Sequence, residues 1–422
     1  MQRVQAGSLE TLRERNSRAV IETLKLRGSA SRAEIARLTG LSRTTVSTIV
    51  SDLQTKGLVV ERPGAGQVTA PHGGRPPILL TLDPSAGAIV GINFRHDEIH
   101  LVVADVSYEI LAERRARFDV DHDGRGAIDA ALQLVREALA ECEVSFESVV
   151  GMGMALSAPI ERATGALSSP DILPGWRGLH PATVMSERLG MKVHIDNDAN
   201  LGALAEARFG AGRGVRGLAF VMLSSGVGAG LMVDGGIYRG AGGTAGEIGH
   251  TIVDENGAIC HCGNRGCLET QAATTALLDM LRPTRTPDFS LEDMLEAARD
   301  GDVACRRVLA DAGRHVGVAV ANLVSLFDPQ LVIIGGELVA AGDVLMRPLR
   351  EAVERFAIPA AAREVEVVTG ELGDRAEVLG ALALALGESD HELAKTLATA
   401  GVGVGAGRRR VAQGSPTEEE GQ

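Results

Sequence analysis

Three cysteines within eight residues, Cys260, Cys262 and Cys267 in "ICHCGNRGCLE", restrict the possible folds of this chain more than any other stretch. The loop must bring three thiols to one point, and Gly263 and Gly266 let it turn tightly enough to do so. The chain has only five cysteines, so this cluster reads as a metal site in a reducing compartment, not as a disulfide framework. Three thiolates match the donor set of a tetrahedral Zn²⁺ site, with one further ligand needed to close it. Cys142 and Cys305 stand alone in helix-like segments and read as ordinary thiols.

With 422 residues, 45% of them hydrophobic, the chain suggests two or three units with a sizeable core. No run of about eighteen apolar residues is present, and the first residues do not form a secretory signal. A cytoplasmic protein with no membrane partner is expected. The net charge of −13 is unevenly placed: residues 1–80 carry twelve Lys/Arg against six Asp/Glu, leaving −19 on the remaining 342. A basic head on an acidic body fits a head that meets a polyanion, although small domains also scatter in charge.

Residues 1–62 are helix-like, and 63–82 combine a Gly/Pro-rich linker with the start of a wing. From about 83, strand-length apolar runs ("AIVGINF", "VVGMGMAL", "QLVIIGG") alternate with amphipathic segments, which predicts an α/β body of two lobes, 83–198 and 199–390. The C-terminal helices of the second lobe are free to return to the first. Residues 391–422 lack apolar periodicity and are expected to be a disordered tail.

In the head, "SRAEIARLTGLSRTTVSTIVSDLQTKG" predicts a helix-turn-helix. Ser31 and Glu34 form a capping box, Ile35 and Leu38 face inward, Gly40 makes the turn and Leu41 fills the space beneath it. Ser42 caps the second helix, where Val46, Ile49, Val50 and Leu53 make one apolar stripe. Its opposite face offers Arg43, Thr44, Thr45, Ser47 and Thr48 to a major groove, with Ser42 and Arg32 nearby as further DNA contacts. "GLVVER" and "PPILLTL" can pair as a wing. Arg75, between them, either lies in a narrow minor groove or is an arginine in a flexible linker.

Asn16, the helix-turn-helix, "GLV" and "GGRP" resemble the winged helix-turn-helix of the repressor branch of the ROK family (repressors, open reading frames and kinases). The resemblance extends through "EIGH" and "CHCGNRGCLE", which match the family's ExGH and CxCGxxGCxE signature. It implies an N-terminal winged helix-turn-helix followed by a two-lobed, actin-like and ribonuclease-H-like sugar kinase fold. It identifies His250 as the fourth metal ligand and Asn197, Asp198, Glu247, His250 and Glu269 as contacts to a sugar. Asp198 matches the position that acts as base in the kinases, though a carboxylate there can also simply bind a hydroxyl. Asp196 and Asn200 read as local caps or turns. "SAP" stands where the family usually has Pro-Gly, which leaves a contact from Ser157 open.

The kinases carry Asp-x-Gly-Gly-Thr after the first strand of the body, where this chain has Asn93, Phe94, Arg95, His96 and Asp97. Both glycines that would admit phosphate to backbone N–H groups are replaced by bulky residues, and the acid is an amide. "SSGVGAG" and "IIGGE" keep the later glycine turns, which serve phosphates or simply connect strands. The combination predicts a repressor of sugar-metabolism genes with no catalytic residue. It is expected to bind operator double-stranded DNA as a homodimer or homotetramer and to respond to a monosaccharide or sugar phosphate. An active ATP-dependent sugar kinase with a DNA-binding head is the alternative.

Overall fold

The computed structural model describes residues 9–63, 78–161, 163–168 and 172–388. Arg75, most of the linker and the tail from 391 lie outside the described residues.

The head comprises α1 (Leu9–Arg27), β1 (Ala30–Ser31), α2 (Arg32–Thr39), α3 (Arg43–Thr55), β2 (Val59–Pro63) and β3 (Ile78–Leu82). Local sequence sets its corners. Glu34 N donates to Ser31 Oγ at 3.3 Å, while the Glu34 carboxylate accepts from Ser31 N at 2.8 Å. Gly40 takes the left-handed conformation (φ 69°) at the turn, and Ser42 Oγ accepts from Thr45 N at 3.1 Å. Val46, Ile49, Val50 and Leu53 are all buried, as their spacing requires. Leu38 differs from expectation: it is 42% exposed. Within the two-turn α2 only Ile35 is fully buried, so the core covers this face at one turn and leaves it partly uncovered at the next. β2 and β3 pair antiparallel from Val59↔Leu82 to Pro63↔Ile78, forming the stem of a wing, and β1 adds to the far edge of β3.

The body holds two sheets of matching design. β4 (Ala88–Phe94), β5 (Glu98–Asp105) and β6 (Ile110–Arg117) run antiparallel; after α4 (Gly124–Glu141), β7 (Val149–Leu156) joins β4 in parallel. Then α5 (Pro181–Leu189) leads to β8 (Val193–Asn197), giving the order β6-β5-β4-β7-β8. α6 (Asp198–Phe209) precedes the second lobe. There β9 (Leu218–Leu223), β10 (Val227–Val233) and β11 (Gly236–Ile237) are antiparallel. The cysteine loop and α7 (Glu269–Ala272), α8 (Thr274–Leu281), α9 (Leu291–Arg299) and α10 (Val303–Phe327) follow. β12 (Leu331–Gly335) and, after α11 (Asp343–Phe356) and α12 (Pro359–Glu364), β13 (Glu366–Thr369) extend β9 in parallel. The order β11-β10-β9-β12-β13 repeats that of the first sheet.

The last helix, α13 (Ala376–Glu388), returns to the first lobe and packs on β4 and β7. It approaches them so closely that a Cβ on Gly153 would lie 2.1 Å from Ala381 O. On its other side Gly380 meets α6, where a Cβ would lie 2.0 Å from Leu201 O. Gly153→Ala is therefore expected to destabilise the fold by roughly 1–3 kcal/mol, because backbone cannot yield as a side chain can; urea unfolding measures it. One apolar cluster runs from Val20, Leu24, Val46 and Leu82 of the head through Ile89 and Val102 to Val378, Leu382 and Leu386 of α13. The head and the first lobe thus share a core.

Candidate ligand cleft, cysteine loop and DNA-facing helix

Between the two sheets lies a cleft of about 1450 Å³, which gathers the carboxyl ends of β4 and β8, the β9–β10 turn and the cysteine loop. Asn93, Arg95, His96, Asn197, Asp198, Glu247, His250 and Glu269 all line it.

The cysteine loop closes on itself through short bridges, Ile252↔Cys267 and Ile259↔Arg265. Gly266 (φ 71°) is essential to that closure, since a Cβ there would lie 1.5 Å from Asp254 O. The donor atoms of His250, Cys260, Cys262 and Cys267 all lie within 4.8 Å of one another. Cys262 and Cys267 Sγ are 3.6 Å apart, and Cys260 Sγ is 3.7 Å from His250 Nδ1. A tetrahedral Zn²⁺ with metal–sulfur bonds of 2.3 Å has edges of about 3.8 Å, so the donor set fits the ion. His261 and Glu269 form a second possible grouping with His250 and Cys260. Cys305 is buried and Cys142 half-buried, both away from this cluster.

His250 turns its other nitrogen to the cleft: Nε2 lies 3.7 Å from Glu247 Oε2. Burial, together with the Asp198 and Glu269 carboxylates, pushes the Glu247 carboxyl up to about 7. Asp198 is fully enclosed; burial pushes its carboxyl up, opposed by hydrogen bonds from Ser157 and Ala199 N and by the charges of His96 and Arg95. Ser157 therefore acts on the site through Asp198. Glu269 accepts from Val227 N at 3.3 Å. Asn197 caps α6, accepting from Ala199 N at 3.0 Å and Asn200 N at 3.3 Å, and its amide donates to Ala158 O. This end of the cleft is a rigid array of oxygen acceptors suited to a polyhydroxy ligand.

Asp196 is more than a local cap. Its side chain, 4% exposed, accepts from Arg239 Nε at 2.7 Å, Asn200 Nδ2 at 2.9 Å and Asn197 N at 2.8 Å. Arg239 begins the segment that leads to Glu247, so this pair ties the two strips of chain that make the acceptor array. Nothing local in the sequence marks it, because the partners lie 43 positions apart.

At the other end, Asn93 is buried and its Oδ1 has no partner. His96 Nδ1 is 2.8 Å from Asp121; burial pushes this imidazole down, but the Asp121, Asp198 and Asp97 carboxylates more than offset it and the net shift is upward. Arg95 crosses to the second lobe, where Nη2 donates to Glu337 Oε1 at 2.6 Å. Ser224 Oγ donates to the other oxygen of Glu337 at 3.2 Å. The glycines of the later turns answer to packing: a Cβ on Gly230 would lie 2.2 Å from Ala199 O, and one on Gly336 2.3 Å from Leu223 O.

In the head, Arg43, Thr44, Ser47 and Thr48 are exposed on the free face of α3, with Thr45 half-buried. Ser42 is engaged as the cap, and Arg32 donates to Glu61 of the wing at 2.9 Å.

Residues 89–388 match the model of the ROK family, and residues 15–67 match that of the MarR family. The chain belongs to the ROK family. It is 30% identical over 396 residues to the xylose repressor of Caldicellulosiruptor bescii, covering 90% of this chain and 98% of that one. Among solved structures it resembles a ROK family transcriptional regulator described as a homologue of the E. coli MLC protein (TM-score 0.76, 23% identity, 92% of this chain and 99% of that chain). The body also resembles a ROK family glucokinase from Streptomyces griseus solved with glucose and AMPPNP (TM-score 0.63, 27% identity, 71% of this chain and 99% of that chain). The ROK architecture of a winged helical head on a two-lobed, kinase-like body is therefore established for this chain. Among the described residues, no helix is long and apolar enough to cross a membrane.

Proposed function

We propose that this ROK protein is a repressor of sugar-metabolism genes that binds operator DNA through its head. A monosaccharide or sugar phosphate in the cleft modulates that binding and is not phosphorylated. The observation that carries the reading is the Arg95–Glu337 ion pair across the cleft, where phosphates would enter a kinase of this fold. The acceptor array around Asp198, Glu247 and Glu269 supports ligand binding without supplying a phosphate cradle. Incubating the protein with ATP, Mg²⁺ and a hexose panel tests this: no ADP above background is expected, and robust ADP release would sink it. The buried Asp198 carboxyl, at the base position of the kinases, and the retained later glycine turns are the features that favour the kinase reading.

The head and cleft are proposed to act as separable sites joined by a conformational equilibrium, in a homodimer or homotetramer that reads paired half-sites. Arg43→Ala is expected to weaken operator binding by about 10-fold, from a lost phosphate or base contact, while sugar affinity is unchanged. Glu269→Ala is expected to do the reverse. Fluorescence anisotropy on operator DNA, with and without sugar, reads both.

Zn²⁺ is proposed to be held by His250, Cys260, Cys262 and Cys267, where it would tie the loop that presents Glu247 and Glu269. Cys267→Ser is expected to reduce bound zinc from about one per chain to near zero and to lower the melting temperature, because metal binding is coupled to folding. Elemental analysis with thermal unfolding checks this.

A further inference from the structure

We propose that Glu337, by holding Arg95, makes the cleft reject phosphate-bearing ligands, so that the effector is an uncharged sugar. The proposal rests on the reading of the cleft as a sugar site and narrows it.

The described residues lining the cleft include nine carboxyl groups, no lysine and a single arginine, Arg95. That arginine is engaged at 2.6 Å by Glu337, whose second oxygen is fixed by Ser224. The histidines offer no substitute. His96 is held by Asp121 at 2.8 Å, His122 by Asp119 at 2.9 Å, and His261 lies 3.2 Å from Glu269. His250 is the candidate metal ligand, and a divalent ion bound with three thiolates leaves the local charge negative. A phosphate ester brings one to two further negative charges and three acceptor oxygens. At one end it would face Asp198, Glu247 and Glu269; at the other, Asp374 and Glu377. No unengaged cation lines the described cleft to offset the added charge. Sugar hydroxyls, in contrast, donate to these same carboxylates without added charge.

The pair also explains why the replacement of a phosphate cradle by Arg95 did not create an anion site. An unpaired guanidinium there would attract phosphate strongly, and the carboxylate from the opposite lobe removes that attraction. Glu337 has a side chain 40% exposed, so a glutamine at this position is compatible with folding.

Thermal unfolding of the full-length protein tests the assignment, with inorganic phosphate or glucose 6-phosphate compared with chloride at equal ionic strength. Neither phosphate compound is expected to raise the melting temperature of the unmodified protein. Both are expected to raise that of Glu337→Gln, with phosphate bound at least about 10-fold more tightly. Adding Arg95→Ala to Glu337→Gln is expected to abolish the gain. A phosphate-dependent shift in the unmodified protein that Arg95→Ala removes would overturn the proposal, as would the absence of any gain in Glu337→Gln. Failure of the sugar reading looks different: phosphate gating by Glu337 would persist while neutral sugars left operator binding unchanged.

Discussion

Arg239→Ala is expected to lower the unfolding free energy by about 3 kcal/mol. The loss comes less from the attraction removed than from what remains. Asp196, 4% exposed, would lose the guanidinium that now donates to it at 2.7 Å. Asn200 Nδ2 and Asn197 N would still donate to the other oxygen, so the carboxylate would be only half satisfied. Adding Asp196→Asn to Arg239→Ala is expected to restore part of the stability, because a neutral amide tolerates burial better than an unpaired carboxylate. Urea unfolding of the three variants forms the cycle. If Arg239→Ala alone proved neutral, the pair would not be what fastens the Glu247 segment to β8.

Glu377→Gln is expected to flatten the dependence of stability on pH between about 4.5 and 7. Glu377 lies at the start of α13 in the floor of the cleft. Burial pushes its carboxyl up to about 7; Arg95 pulls it down, while Asp198 and Asp374 add to the rise. The folded state therefore keeps this proton after the unfolded chain has released it, and stability falls as pH rises from about 4.5 through about 7. Above that range the full penalty applies, on the order of 3 kcal/mol, and the glutamine variant should exceed the unmodified protein in stability by that order at pH 8. At pH 4 the two should nearly coincide. His96 acts in the same direction, since the stability from its raised imidazole is present at low pH and lost as pH rises through its folded value. The difference between variant and unmodified protein isolates Glu377 from that background. Equal pH slopes in the two proteins would mean that its carboxyl is not held protonated by burial.

Much of the head was legible from local sequence because its determinants are local. A capping box spans three residues, a helix stripe repeats within two turns, and the left-handed Gly40 needs no distant partner. Leu38 failed by the same logic: apolarity and spacing were right, but burial depends on whether a neighbour crosses that face, and none covers it. The cysteine loop was legible because its three thiols are close in sequence and its glycines answer to local backbone, Gly266 through contact with Asp254 and Gly263 through its positive φ of 90°. The local bonds of Asp196 to Asn197 and Asn200 were legible, but its pairing with Arg239 was not, because that partner lies outside any local window.

The sequence by itself determined the classes of element, the thiol cluster, the acid-rich signature and the bulky, glycine-free turn at Asn93–Asp97. Each is a property of residues near one another along the chain. Only the tertiary structure decided what Arg95 does, because Glu337 reaches it from the other lobe, 242 positions away. The same holds for α13, whose return to the first lobe joins the cleft at Glu377 to the core of the head at Leu386. Ion pairs and packing between lobes follow from closure of the whole chain, and closure is not encoded in any single stretch of it.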